Sequence, residues 1–107
     1  MSGERLKGHL EGLLLAILES GPQHGYGVIQ TLAARTGGTF ELPSGTVYPV
    51  LHRLMVAGLI EGEWSRVDGR RRLTYRLTER GQRALEEERS SWRRFAGAVS
   101  SLLGSPS

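Results

Sequence analysis

Arginine is the residue whose spacing in this sequence points most directly to a chemistry. Residues 62–77 hold five arginines against two acidic side chains, a net charge of +3, and three of the five are consecutive, Arg70 to Arg72. The rest of the 107-residue chain is close to balanced, so this segment accounts for the overall charge of +3. Guanidinium groups neutralise phosphates and release their counterions. The segment therefore indicates a polyanionic partner.

Other chemistries find little support in the residue types. The three histidines, His9, His24 and His52, have no second ligand at a recognised spacing, and cysteine is absent. We find no glycine-flanked nucleophile, P-loop or dinucleotide fingerprint. We therefore expect no metal, no cofactor and no enzymatic activity. The apolar run 13–18 is too short to span a bilayer, so we expect a cytoplasmic protein that makes no membrane contact.

Three predicted helices precede the arginines. Apolar residues recur at helical spacing over 6–20, 25–36 and 45–58, and glycines close each segment. We expect Ser44 to cap the third helix. Pro49 near its start either distorts the first turn so that Tyr48 and free backbone amides face a phosphate, or is simply tolerated near a helix end; both interpretations stay open. The predicted core side of this helix carries Val47, Val50, Leu51 and Leu54, and the opposite side carries Gly45, Pro49, His52, Arg53 and Val56.

The pattern then changes to the alternation of a strand. Leu73, Tyr75 and Leu77 share one face, and Asp68-Gly69 is a strong turn signal between this strand and residues 60–67. Three helices followed by a basic hairpin predict a mainly α chain with a small β-hairpin, a winged helix-turn-helix, over residues 1–78. The hairpin, about residues 60–77, is the wing.

A winged helix of this kind suggests double-stranded DNA as the partner. The third helix fits the roughly 12 Å major groove. Its outward residues would then face base edges, while its N-terminal amides and Tyr48 would face phosphates. The predicted contacts are Ser44, Tyr48, His52 and Arg53 on the helix, and Arg66, Arg70, Arg71 and Arg72 on the wing.

A long final helix is predicted over 79–103, within a tail segment 79–107 whose end, like residues 1–5, we expect to be irregular. Its apolar residues follow the a and d spacing of a heptad repeat. A chain of this size, only 38% apolar, buries little apolar surface on its own and can bury more by associating with a second copy. We therefore expect a homodimer. The predicted contacts on this helix are Leu85, Trp92, Phe95, Val99 and Leu102.

The sequence also resembles the PadR-family regulators over about residues 6–95. Its tyrosine-proline step and its closing tyrosine-x-leucine-threonine-x-x-glycine signature are specific in combination. The departures are Gly45, where the family often has proline, and a wing turn that lacks the family's glycine-glycine-proline. The segments that carry the likeness are Gly8-His9-Leu10, Pro22 to Gly27, Thr46 to Leu54, Gly58-Leu59-Ile60 and Arg71 to Gly81.

The resemblance implies a dimeric transcriptional repressor that reads a pseudo-palindromic operator. It places the first helix, with Leu10 and Leu14, in the dimer interface. It also adds Tyr26 to the phosphate contacts and Thr46 to the groove-facing residues. It also implies a flat aromatic small molecule as effector, bound at Trp92. The alternative for Trp92 is that it only packs in the interface.

Two other functions stay open at this point. The fold also serves as a protein-interaction module, which would use the aromatic final helix to bind a different protein. A regulator that binds a small molecule and has lost its DNA affinity is a third interpretation.

Overall fold

The computed structural model describes the backbone of residues 3–105 and the side chains of residues 9–105. The element order matches the predicted three helices, hairpin and long helix, so the predicted fold class is confirmed. The elements are α1 (Gly3–Glu19), β1 (Gln23–His24), α2 (Gly25–Arg35), α3 (Ser44–Val56), β2 (Ile60–Val67), β3 (Arg70–Leu77) and α4 (Glu79–Leu103). Only β1 was not predicted.

The sheet has three antiparallel strands in the order β1-β3-β2. The short β1 pairs Gln23 with Tyr75 and His24 with Thr74, which ties the start of α2 to the wing. Strands β2 and β3 pair over eight residues each, and β2 lies at one edge. Their turn places Asp68 at φ 53° and Gly69 at φ 77°. Both residues are left-handed, as a two-residue type I′ hairpin requires.

The core forms where α1, α2, α3, the sheet and the start of α4 meet. The predicted core side of α3 is confirmed, because Val47, Val50, Leu51 and Leu54 are all buried. The opposite side of α3, predicted to face outwards, is exposed along its length. The other fully buried large side chains are Leu10, Leu14, Leu15, Val28, Ile60 and Leu85.

The start of α3 differs from the prediction. Pro43 occupies the N-cap position, makes no side-chain cap, and accepts hydrogen bonds at its carbonyl from the Thr46 and Val47 amides at 3.0 and 3.2 Å. Ser44 is the first helical residue and does not cap the helix, so that prediction was wrong. Proline serves here because its fixed φ suits the chain just before a helix.

The start of α4 is fixed by Thr78 and Gly81. The Thr78 hydroxyl accepts a hydrogen bond from the Gly81 amide at 3.0 Å and donates one to the Gly58 carbonyl at 2.7 Å. Gly81 is buried so closely that a Cβ on it would overlap the Leu59 carbonyl. The first turn of α4 therefore lies directly on the end of the α3–β2 connection.

An ion pair holds the middle of α4 against α1. Both Arg89 guanidinium nitrogens bind the Glu19 carboxylate, one of them at 2.9 Å, and Glu86 accepts a further bond from Arg89 at 3.0 Å. The bonds from Arg89, and then that from Gln82, lower the pKa of Glu19 to about 2. Beyond this point most side chains of α4 are exposed, and the molecule measures 54 × 28 × 23 Å.

The expectation of irregular ends holds only in part. Helix α1 already includes Gly3, so residues 3–5 are helical. Gly104 ends α4 with a positive φ of 88°. Met1, Ser2, Pro106 and Ser107 lie outside the described residues.

Candidate nucleic-acid interface

The outward side of α3 is the first part of the candidate interface. His52 is exposed there, and Thr46, nearer the start of the helix, is half-buried. Arg53 turns back towards α1, where its Nε lies 3.6 Å from a Glu11 carboxylate oxygen, with both side chains about half exposed. The helix continues through Pro49, which leaves the Gly45 carbonyl without the amide donor four residues on. Of Thr46, His52 and Arg53, His52 is thus the one that is both exposed and outside the ion pairs described for residues 9–105.

Two tyrosines lie beside the start of α2. The Tyr48 ring packs on the backbone of Gly25, where an added Cβ would lie 2.5 to 2.6 Å from the ring and its hydroxyl. Tyr26 is 61% exposed and stacks on His24, with ring centroids 6.5 Å apart. His24 caps α2 by accepting the Gly27 amide at Nδ1. Tyr26 and Tyr48, both predicted to contact phosphate, therefore lie at the start of α2, and a helix N-terminus favours anions.

The two faces of the wing differ in charge. Alternation along the paired strands places Trp64, Arg66 and Arg71 on the face that continues the buried Ile60 and Tyr75. We call this the inner face. The opposite, outer face carries Glu61, Glu63, Ser65, Val67, Arg70, Arg72, Thr74 and Arg76.

Carboxylates are confined to the outer face of the paired strands. Arg76 lies 2.9 Å from Glu63 and 4.0 Å from Glu61, so its charge is compensated locally. Within residues 9–105, the arginines nearer the turn, Arg66 and Arg70 to Arg72, form no ion pair with a carboxylate. The uncompensated charge of the wing is therefore at its tip.

Trp64 is a wing residue that the sequence reasoning missed. It is 58% exposed, and the guanidinium carbon of Arg71 lies 4.5 Å from the centre of its ring. This is a cation–π contact. The signal was present in the sequence, because a two-residue turn at Asp68-Gly69 puts residues 64 and 71 diagonally opposite on one face.

A second surface lies between α1 and α4, away from the wing. It is an open groove of about 560 Å³, which we call the α1–α4 groove. Trp92 and Phe95, 56% and 58% exposed, form one wall with ring centroids 5.6 Å apart, and His9 meets Trp92 edge to face at 6.2 Å. Leu13, Ala16, Phe40 and Leu85 also line it. Of these wall residues, Leu85, Trp92 and Phe95 were predicted for dimer contact, and Phe40 was not singled out.

The residues predicted for dimer contact fall into two groups. Leu10, Leu14 and Leu85 are at most 2% exposed within the single chain, so they belong to its own core and we remove them from the dimer surface. Trp92, Phe95 and Leu102 are exposed, and Val99 is half-buried. The apolar stripe of α1 packs against α2, α3, α4 and β3 of its own chain, so the dimer role that the resemblance implied for Leu10 and Leu14 does not fit their burial.

The described residues provide neither a metal-binding cluster nor a membrane-spanning helix. Among residues 9–105, no three histidine or acidic side chains lie close enough to hold a metal ion. Within the part of the chain that the structure describes, none of the helices is both long and apolar enough to cross a bilayer.

Three helices, a small sheet with a projecting hairpin, and a long last helix define a winged-helix protein. The family model of the transcriptional regulator PadR-like family matches residues 14–87. The chain belongs to this family, whose members are transcription regulators and not enzymes.

Similar proteins of known name or structure agree with this assignment. Transcriptional regulator Rv3488 of Mycobacterium tuberculosis is 42% identical over 76 residues, which cover 71% of this chain and 68% of that protein. The crystal structure of a PadR-like transcriptional regulator from Bacillus cereus is 34% identical with a TM-score of 0.82, covering 97% of this chain and all of that one. Bacillus subtilis PadR, solved in complex with operator DNA, is 23% identical with a TM-score of 0.67 over 73% of this chain and 45% of that one, a likeness of fold.

Proposed function

We propose that this regulator binds double-stranded operator DNA as a homodimer in the cytoplasm and represses transcription. The observation that carries the proposal is the group of uncompensated arginines at the wing tip, beside an α3 helix whose outer side is exposed along its length. Phosphates are the ligands that such arginines bind with counterion release. The complex of Bacillus subtilis PadR with operator DNA, which shares the fold, supports this partner.

Residues 1–78 form the DNA-binding unit of the proposal. Helix α3 enters the major groove and presents Thr46 and His52 to base edges. Arg53 joins them when its guanidinium leaves the Glu11 carboxylate and binds the DNA instead. Ser44, Tyr48 and Tyr26 lie near phosphates at the helix starts. The wing arginines, Arg66 and Arg70 to Arg72, contact the backbone or the adjacent minor groove.

Residues 79–107 supply the dimer contact of the proposal. The exposed Trp92, Phe95 and Leu102, with Val99 between them, form an apolar side on the second half of a helix whose charged residues all lie at or before Arg94. A second copy packed on this side covers both aromatic rings. Two winged helices related by such a pairing meet successive major grooves about one helical turn, roughly 34 Å, apart.

An aromatic small molecule is the proposed effector. The exposed Trp92 ring beside Phe95 offers a flat, apolar stacking surface. A ligand held there between two protomers releases the DNA by shifting the angle between them. The same open α1–α4 groove favours the second candidate function, docking of a different protein.

The test combines a gel shift with a sizing run. Duplex from upstream of the protein's own gene is titrated at salt from about 50 to about 200 mM, and the mass is measured at the same concentrations. A dimer whose affinity falls steeply with salt supports the proposal. A monomer that shifts no duplex in dilute buffer favours protein docking.

Two variants locate the interface. Arg71→Ala is expected to weaken binding to all duplexes and to reduce the salt slope by about one. His52→Ala is expected also to blur the preference for the operator over unrelated duplex. Equal loss of preference in both variants would contradict the assignment of α3 to base reading.

A further inference from the structure

We propose that Arg71 is the principal DNA contact of the wing and that Trp64 is the positioning residue that holds it ready. The proposal rests on the proposed function and names which of the neighbouring arginines acts. Arg71 stands apart from Arg70 and Arg72 in two ways: the face it occupies and the ring it lies on.

The register of the hairpin creates the pairing. Arg71 lies directly opposite Arg66, and Trp64 lies opposite Leu73, so the indole is the diagonal neighbour of Arg71 on the inner face. Two guanidinium groups placed directly opposite each other repel. The indole offers Arg71 a site away from Arg66, with 4.5 Å between its guanidinium carbon and the ring centre. The planar ring then fixes the direction of an otherwise flexible side chain.

The charge balance singles out the inner face. The strand residues on the outer face include two carboxylates, Glu61 and Glu63, which engage Arg76. The strand residues on the inner face beyond Tyr75 include Arg66 and Arg71 and no carboxylate. A phosphate approaching the inner face therefore meets two positive charges without an adjacent strand carboxylate to repel it.

The inner face also lies on the side of α3. Gly62 on this face packs against the end of that helix, since an added Cβ would lie 3.1 Å from the Met55 sulfur and 2.8 Å from a Leu73 methyl. Trp64 and Arg71 follow one and two pairs further out along the same face. A duplex lying along α3 thus meets the inner face before the outer one.

The experiment is a double-mutant cycle on DNA affinity. Fluorescence anisotropy with a labelled operator duplex measures the Kd of the wild type, Trp64→Leu, Arg71→Ala and the double variant. Trp64→Leu is expected to weaken binding about two- to fivefold, the size of an exposed cation–π contact. In the Arg71→Ala background the same change is expected to have no further effect. Trp64→Phe keeps an aromatic face and is expected to recover most of the affinity.

Arg72→Ala is the matched control, because it removes the same charge from the adjacent residue on the outer face. It is expected to cost less affinity than Arg71→Ala, and melting temperatures verify that every variant is folded. The proposal is overturned if Arg72→Ala costs as much as Arg71→Ala, or if Trp64→Leu weakens binding equally in both backgrounds. A wild type that binds no duplex overturns the proposed function itself, which separates the two failures.

Discussion

Replacing Gly81 by alanine is expected to destabilise the protein strongly, although both residues are small. The added Cβ would overlap the Leu59 carbonyl and lie 2.7 Å from a Leu77 methyl. The methyl group can move away, but the carbonyl belongs to the backbone that leads into β2, so α4 itself has to shift. Overpacking typically costs about 1–3 kcal/mol, and a backbone obstacle places this variant at the upper end of that range. For a domain of this size, about 3 kcal/mol lowers the melting temperature by roughly 10 °C or more.

Gly97→Ala is the matched control in the same helix. Among the described residues, no atom outside the adjacent residues and the nearby backbone of α4 lies within 4 Å of a Cβ at Gly97, and its φ is not in the left-handed region. Alanine is favoured over glycine within a helix by about 1 kcal/mol, so this variant is expected to melt a few degrees higher. Melting curves at one fixed chain concentration compare the two, because association raises apparent stability. A Gly81→Ala protein that melts with the wild type would refute the close packing of α4 on the α3–β2 connection.

Three further predictions concern pH, the wing turn and the α1–α4 groove. The carboxyl pKa of Glu19 is lowered to about 2 in the folded chain from an ordinary 4.5, so its bond to Arg89 stabilises above pH 4.5 and is lost as the pH falls towards 2. The melting temperature of the wild type is expected to exceed that of Glu19→Gln by less and less as the pH falls over that range. A difference that grows on acidification would contradict the role of this ion pair. Asp68→Asn keeps a residue that tolerates a positive φ and removes an acidic charge at the wing tip. The variant is expected to bind unrelated duplex about twofold more tightly at low salt. Its melting temperature is expected to change little. Trp92→Ser is expected to shift the sedimentation profile towards the monomer. Trp64→Ser, at a tryptophan of similar exposure, is the control and is expected to leave the profile unchanged. Identical profiles for the two variants would exclude Trp92 from the dimer contact.

Much of the fold was predictable because glycine and proline mark the ends of its elements. Gly21-Pro22, Gly37-Gly38 and Asp68-Gly69 lie between elements in the structure as they do in the sequence pattern. Strand β1 was missed because two residues cannot show an alternation, and its partner β3 lies some fifty residues further on. Serine is a good cap in general, but here the N-cap position is Pro43 and Ser44 is already the first helical residue.

The candidate site was predictable to the level of elements but not of contacts. The outward side of α3 follows from helical periodicity, and the exposed His52 agrees with it. The resemblance assigned Leu10 and Leu14 to a partner chain, and helical periodicity could not correct this, because it does not say what covers an apolar residue; their own chain buries both. The bond from Arg53 to Glu11 depends on how α1 crosses α3, which no local pattern encodes.

The position of β2 at the edge of the sheet has a consequence for handling the protein. An eight-residue strand with an open backbone edge is a template for intermolecular pairing, and proteins suppress such pairing with charged side chains. Glu61, Glu63 and Arg66 stand at alternate or nearby positions on β2 and are exposed. Concentrated salt, the obvious means of stripping nucleic acid during purification, screens these same charges. Precipitation under those conditions is therefore expected to begin at the wing, with β2 of one molecule adding to β2 of another.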